Sequence, residues 1–266
     1  ASLDPMELPE PFVNTCLFLR CLLMLEEIAP LIGMESHLSR LQALKTRCGE
    51  AVRSAYMDPD TGSFCGSIQG ADAFAVCAEL ASDKTKARLL ERYNDRHSFD
   101  TGFIGTDLLA EALIRLGGAD TLFKLLTAEG LGSFLHMKRM GATTIWERWN
   151  SYMLDKGMGP KGMNSFNHYA YGCVCEWIWE TAAGIASDPA EPGFKHIIMK
   201  PVPDKRLGHL TAEYQSAAGV IKSAWRYEGE QWIWEFTIPE GAKATVTLPG
   251  ENESKEYGAG TYTVTK

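Results

Sequence analysis

No stretch of this chain is long and apolar enough to span a bilayer. The most apolar run, Cys16 to Leu25, is short, carries Arg20 and is followed at once by Glu26-Glu27, whereas a spanning helix needs about twenty apolar residues. Positive charge is also scarce: 26 Lys and Arg against 34 Asp and Glu leave a net charge of −8. With no basic patch, neither nucleic acid nor an anionic membrane surface is an expected partner, and a neutral or small-molecule substrate fits better. The six histidines show no pairing at metal-ligand spacing, so neither a catalytic metal nor another cofactor is expected. The seven cysteines are odd in number and include no C-x-x-C pair, which reads as reduced thiols in a cytosol-like compartment. The N-terminus lacks the basic, apolar and small-residue succession of a signal peptide, a feature that a chain starting inside a longer protein would not display. The glycines of Asp100-Thr-Gly-Phe-Ile-Gly-Thr106 are wrongly spaced for a dinucleotide loop, and no strand precedes them.

What the chain does have is a change of period. Its 266 residues, 45% of them hydrophobic, suffice for one or two cores. Apolar residues at helical spacing predict helices over about Pro11 to Ile28, with Pro30 just past the end, and Ser36 to Met57. Further helices are expected at about Gly70 to Ala81, Lys84 to Asp95, Thr106 to Leu116, Ala119 to Glu129 and Ser133 to Met140. Thr106 can cap its helix and Ser165 a long one, Phe166 to Ala183, which Gly184 can close in a left-handed conformation. Asp58-Pro-Asp-Thr-Gly62 opens like a calcium loop but lacks the later ligands, so a turn is expected. After the Pro-rich linker Asp188 to Gly193 the period becomes two: Leu210, Ala212 and Tyr214, then Ile221, Trp225 and Tyr227, then Trp232, Trp234, Phe236 and Ile238, then Val246 and Leu248. Six or seven short strands should form a small antiparallel sandwich, the Trp232 and Trp234 stripe being its core rather than a sugar platform. The expected organisation is helical over 1–190 and β over 191–266.

Chemistry concentrates in Gly141-Ala-Thr-Thr-Ile-Trp-Glu-Arg-Trp-Asn150 and Asn164-Ser-Phe-Asn-His-Tyr-Ala-Tyr-Gly172. The carboxylate Glu147 stands between two indoles, Trp146 and Trp149, beside Arg148, with His168 arriving from the second stretch. Indole faces suit the C–H faces of sugars, and glycosidic hydrolysis runs on carboxyl groups. Spacing alone equally admits a helix end with core tryptophans, Glu147 paired to Arg148, and a core histidine at 168.

These two stretches, with Pro192-Gly-Phe-Lys195, resemble the C-terminal part of bacterial α-L-rhamnosidases of glycoside hydrolase family 78. The resemblance implies a barrel of six helical hairpins, (α/α)6, followed by a β-sandwich. Because only seven or eight helices are expected before Ile185, it implies the end of the barrel, and the opening Ser2-Leu-Asp-Pro5 resembles the middle of a family catalytic domain. It assigns Glu147 as the general base of an inverting enzyme that acts on terminal α-L-rhamnosyl linkages, and His168 as a sugar contact. Trp146, Trp149, Arg148 and, at the barrel mouth, Asp100 become substrate-binding candidates. The family's general acid belongs to an upstream motif with no match here; Glu91-Arg-Tyr-Asn-Asp-Arg96 has its composition but not its order. Asp100, Asp107 and Glu111 are the nearest substitutes. The chain alone is therefore expected to be inactive, with opened-barrel faces that invite self-association. A non-catalytic carbohydrate-binding module and another helical-barrel hydrolase or lyase are the rival readings.

Overall fold

The computed structural model describes residues 7–159 and 161–266; Ser2-Leu-Asp-Pro5 lies outside the described residues. The chain divides into two compact units, residues 1–172 and 173–266.

In the first unit, helices pair as hairpins. α1 (Glu10–Leu31) packs on α2 (Leu38–Tyr56), α3 (Ala71–Cys77) on α4 (Asp83–Asn94), and α5 (Phe103–Arg115) on α6 (Ala119–Leu126). α3 also touches both α1 and α5, so the odd-numbered helices form one row and the even-numbered ones lie behind it. Every residue of α3 is buried, as its place in the middle of that row demands. Ser82 caps α4 in a reciprocal box with Thr85, and Ser133 caps α7 (Phe134–Arg139), satisfying N–H groups that have no partner within the helix.

Four local expectations need correction. Pro30 lies inside α1 rather than beyond it; near the helix end its ring costs one backbone bond and its fixed φ remains compatible. α5 begins three residues early, at Phe103 with Gly102 as its cap residue, and Thr106 is buried in the first turn with its hydroxyl on Thr101. Residues 166–183 are no single helix: Tyr169–Cys173 form a 3-10 turn, Val174–Trp177 one α turn (α8), and Ile178–Ala182 a π-helix. A small hairpin, β1 (Tyr152–Met153) with β2 (Gly157–Met158), also interrupts the part expected to be wholly helical.

The second unit is a sandwich of two four-stranded sheets. One has the order β10 (Gly260–Thr265), β7 (Gln231–Ile238), β6 (Gly219–Glu228), β5 (His209–Ser216), antiparallel throughout. The other runs β3 (Ile185–Ser187), β4 (His196–Met199), β8 (Lys243–Thr247), β9 (Ser254–Tyr257), and its β4–β8 pair is parallel. Over about the last seventy residues the strands are seven, β4 to β10, within the six or seven expected there; β3 adds an eighth ahead of them, too short to show a period and placed before the Pro-rich turn. Trp232, Trp234, Phe236 and Ile238 are all buried, against Ile197, Met199, Ala244 and Val246 of the facing sheet. Trp234 Nε1 donates to Ser223 Oγ and Trp225 Nε1 to the Ala182 carbonyl, whereas the buried Trp232 Nε1 has no partner among the described residues. Gly184 has a φ of 71°, and a Cβ there would stand 2.2 Å from Pro201 N, so only glycine fits.

Candidate active site

The two motif stretches are stitched together by backbone. Glu147 N donates to the Ser165 carbonyl (2.9 Å) and His168 N to that of Ile145 (2.8 Å). Thr144 Oγ donates to the Phe166 carbonyl and Asn164 Nδ2 to that of Ser151. Into this ladder the Glu147 side chain folds back, so that Ser165 N donates to its Oε2 at 2.7 Å. Ser165 thus clamps the residue from both sides, and its hydroxyl accepts from Asn167 N rather than capping a helix. Among the described residues that N–H is the only hydrogen-bond partner of the carboxylate, and Arg148 makes no ion pair with it. One carboxylate oxygen is fixed and the other is without a partner among the described residues.

The indoles are engaged within the protein. Trp149, 5% exposed, stacks on Phe99 at 5.2 Å and 7°, meets Phe134 edge-on and touches Tyr171. Its Nε1 donates to the Thr101 carbonyl (2.8 Å), which also accepts from Tyr171 OH (3.3 Å). Trp149 is therefore the post on which the 100–102 loop hangs. Trp146 is buried edge-on to Phe166 and borders a separate cavity of about 320 Å³ with Thr144 and Tyr152. His168, half-buried, lies parallel to Phe103 at 5.4 Å, and its Nδ1 faces Ala170 N.

Asp100 is spoken for. Its Oδ2 meets Arg92 (3.1 Å) and Arg96 (3.3 Å), and its Oδ1 accepts from Tyr93 OH (2.6 Å). Burial first, then the Asp100 charge, pushes the Tyr93 hydroxyl well above its usual range, so it stays a donor. The stretch 91–96 that matched only the composition of the missing acid motif serves to hold this carboxylate. Asp107 is also pushed up, by burial and by Glu111 against the opposing pull of Arg20, while Glu111 is paired with Arg20 and Arg115.

Four of the site candidates meet at one cavity of about 450 Å³, within the usual range for a small-ligand pocket. Glu147, Arg148, Trp149 and Asp100 line it; Trp146, His168, Asp107 and Glu111 do not, His168 reaching it through Phe103. Asn150, Phe103, Tyr171 and Glu7 are also on the wall, with Thr101, Gly102 and Met163. Asn150 and Tyr171 lay within the motif stretches, but nothing in the sequence marked Glu7, which is more than ninety positions from its neighbours here. Among the described residues no three His, Cys, Asp or Glu side chains converge as a metal site needs.

Comparison with known proteins gives the family to which the chain belongs. The model of the bacterial α-L-rhamnosidase six-hairpin glycosidase domain matches residues 6–182, and that of the bacterial α-L-rhamnosidase C-terminal domain matches 184–263. The chain belongs to the bacterial α-L-rhamnosidase family. Among its relatives, an α-L-rhamnosidase of Formosa agariphila is 33% identical over 246 residues, 90% of this chain and 26% of that protein. One from an Alteromonas species is 32% identical, over 89% of this chain and 26% of that protein. A Streptomyces avermitilis α-L-rhamnosidase crystallised with L-rhamnose superposes with a TM-score of 0.85 and 27% identity, over 98% of this chain and 27% of that one. The chain thus spans about a quarter of the length of these two relatives.

Proposed function

We propose that this chain carries the base-bearing side of a site that hydrolyses terminal α-L-rhamnosyl linkages with inversion, and that Glu147 is the base. The observation that carries the reading is the Glu147 carboxylate, held by the Ser165 N–H at the wall of the 450 Å³ cavity with its other oxygen unpaired. In the proposed step that oxygen takes a proton from water as the water's oxygen bonds to the anomeric carbon. The glycosidic C–O bond breaks on the opposite face, its oxygen receiving a proton from a second carboxylic acid. Arg148 and Asn150 supply hydrogen bonds to the sugar, and His168 lends a contact through the Phe103 wall. Trp149 and Asp100 act by holding the 100–102 loop, Trp146 by packing the ladder.

None of the three substitutes named from the sequence is placed to serve as the acid: Asp100 is paired with two arginines, and Asp107 and Glu111 lie outside the lining; Glu7, the other carboxylate on the wall, belongs to no stretch that matches the family's acid motif. We place the acid in another part of the full-length protein, and put the boundary between barrel and sandwich nearer residues 182–184 than the 190 expected, because β3 (Ile185–Ser187) already pairs within the sandwich. By itself the chain should then turn over no rhamnoside, since losing the acid forfeits about a hundredfold to ten-thousandfold. The exposed Phe18, Met24, Leu25, Ile28 and Leu31 on α1 would draw it into self-association. In the full-length protein, Glu147→Gln should lower kcat on an aryl α-L-rhamnoside by at least about a hundredfold. A value near wild type removes Glu147 from the mechanism and favours a binding-only role.

A further inference from the structure

The backbone of Asp100, Thr101 and Gly102 forms part of the Glu147 cavity wall, and Thr101 is its fixed point. Thr101 is 3% exposed, and its side chain fills room that two glycines leave: a Cβ on Gly70 or Gly105 would stand 3.3 or 3.1 Å from it. The Thr101 hydroxyl is engaged with Thr106 Oγ at 2.8 Å. A residue gripped in this way has a carbonyl of fixed direction, and that carbonyl receives Trp149 Nε1 at 2.8 Å and Tyr171 OH at 3.3 Å. Trp149 stands two positions after Glu147. A displacement of the loop is therefore passed to the segment that carries the proposed base.

The loop is held from α4. The Asp100 side chain, 7% exposed, accepts from Tyr93 OH and pairs with Arg92 and Arg96. Arg92 does more than pair: its Nη2 donates to Asp100 Oδ2 at 3.1 Å while its Nη1 donates to the Ser67 carbonyl at 2.8 Å. Ser67 ends a turn in which Cys65, Gly66 and Ser67 itself have positive φ, 49°, 62° and 65°. Cys65 and Ser67 are not glycine, and such a backbone persists only where its surroundings enforce it. Arg88, one helical turn before Arg92, supplies the enforcement: it donates to Ser67 Oγ and to Asp72, which in turn receives Phe64 N. Arg88 reaches the turn and Arg96 reaches Asp100, but among the described residues Arg92 alone ties the turn to the loop.

We propose that Arg92 is a positioning residue for Glu147, acting through the Thr101 carbonyl and Trp149. Arg92 itself is not on the cavity wall. Its guanidinium is planar and keeps its two terminal nitrogens at a fixed separation, so it sets the distance between Asp100 and a turn that is itself stiff. From Ser67 through Arg92 and Asp100 to Thr101 and Trp149, every non-covalent link is a hydrogen bond of 3.1 Å or less. A base displaced by a fraction of an ångström meets its water at the wrong distance and angle, and rate falls steeply with such errors. The tie matters here more than the charge. Asp100→Asn leaves an oxygen that still accepts from Arg92, whereas Arg92→Lys keeps the charge but offers one nitrogen, which reaches Ser67 or Asp100 and not both. The role of Arg92 rests on the reading of Glu147 given above.

The test measures kcat and KM on 4-nitrophenyl α-L-rhamnoside for the full-length protein and for Arg92→Lys, Glu147→Gln, the two combined, and Arg53→Lys, with urea transitions to verify that each is folded. Arg53 is the control, since its fork holds the Glu79 and Leu80 carbonyls elsewhere in the same unit. Arg92→Lys should lower kcat by about tenfold or more with KM within about twofold, while Arg53→Lys leaves kcat within about twofold of wild type. In the Glu147→Gln background, Arg92→Lys should lower kcat by less than about twofold, because a residue that acts through Glu147 has nothing left to position. Trp149→Phe keeps a ring on Phe99 but removes the donor to Thr101; it breaks the same path at its other end and should show the same dependence on Glu147. Losses that multiply in the double variant, equal losses in Arg92→Lys and Arg53→Lys, or Arg92→Lys near wild type beside an impaired Glu147→Gln each overturn the positioning role and leave Glu147 in place. Glu147→Gln near wild type overturns the reading of Glu147 and the role of Arg92 with it.

Discussion

At the scale of single residues, the division of labour around the cavity is sharper than composition suggests. Of six residues that the motifs single out, Glu147 and Arg148 present unpaired polar atoms, while Trp149 and Asp100 spend theirs on the scaffold. A residue type shows what chemistry is available, but not whether that chemistry is already used. Asp100→Asn should therefore be mainly a stability variant. It leaves Arg92 and Arg96 facing a neutral amide, and since both arginines are about a quarter exposed, the loss should be roughly 2–3 kcal/mol, below that of a fully buried pair. Urea denaturation measures it; a loss under about 0.5 kcal/mol would show that the cluster does not hold the loop. Glu147 was legible because a carboxylate between two indoles is rare and its motif long. Glu7 was not, since only the folding of α1 toward the 100–102 loop makes it a neighbour.

At the scale of elements, most helices and the longer strands could be read from their periods, and the misreadings share a cause. Residues 166–183 have an apolar face at helical spacing, yet the first part of the stretch gives its backbone to a long-range ladder. An N–H that donates to Ile145, as that of His168 does, is not available to a helix. β3 was hidden by its three-residue length, and the parallel β4–β8 pair by the fact that alternation gives faces but not neighbours. Gly184 was read correctly as a left-handed closing residue. Gly184→Ala should cost roughly 2–4 kcal/mol, from the positive φ and from the collision with Pro201. A shift of the urea midpoint corresponding to less than about 1 kcal/mol would mean that the turn relaxes freely.

At the scale of the whole molecule, two units of different periodicity carry different burdens. The first holds the cavity, the ladder and the strapped loop. The second is a sandwich with an apolar core whose first turn is fastened by Asp188, which receives Ala190 N at 2.8 Å and His196 Nδ1 at 2.7 Å. Those bonds, the backbone one foremost, lower the Asp188 pKa from 3.8. A carboxyl depressed on folding gives its full stabilisation above pH 3.8 and loses it as pH falls through the lower folded value. Asp188→Asn should accordingly destabilise more at pH 6 than at pH 3, as urea midpoints at the two pH values will show; equal losses at both would discount the charge.

The central claim is that Glu147 removes a proton from the attacking water, and the most direct measurement replaces that water. In full-length Glu147→Ala, azide needs no deprotonation and fits the space vacated by the carboxylate. On an aryl α-L-rhamnoside, azide should restore at least about tenfold of the lost turnover and yield β-L-rhamnosyl azide, the product of attack from the face opposite the leaving group. Turnover near wild type without azide, or an α-configured azide product, would contradict the account.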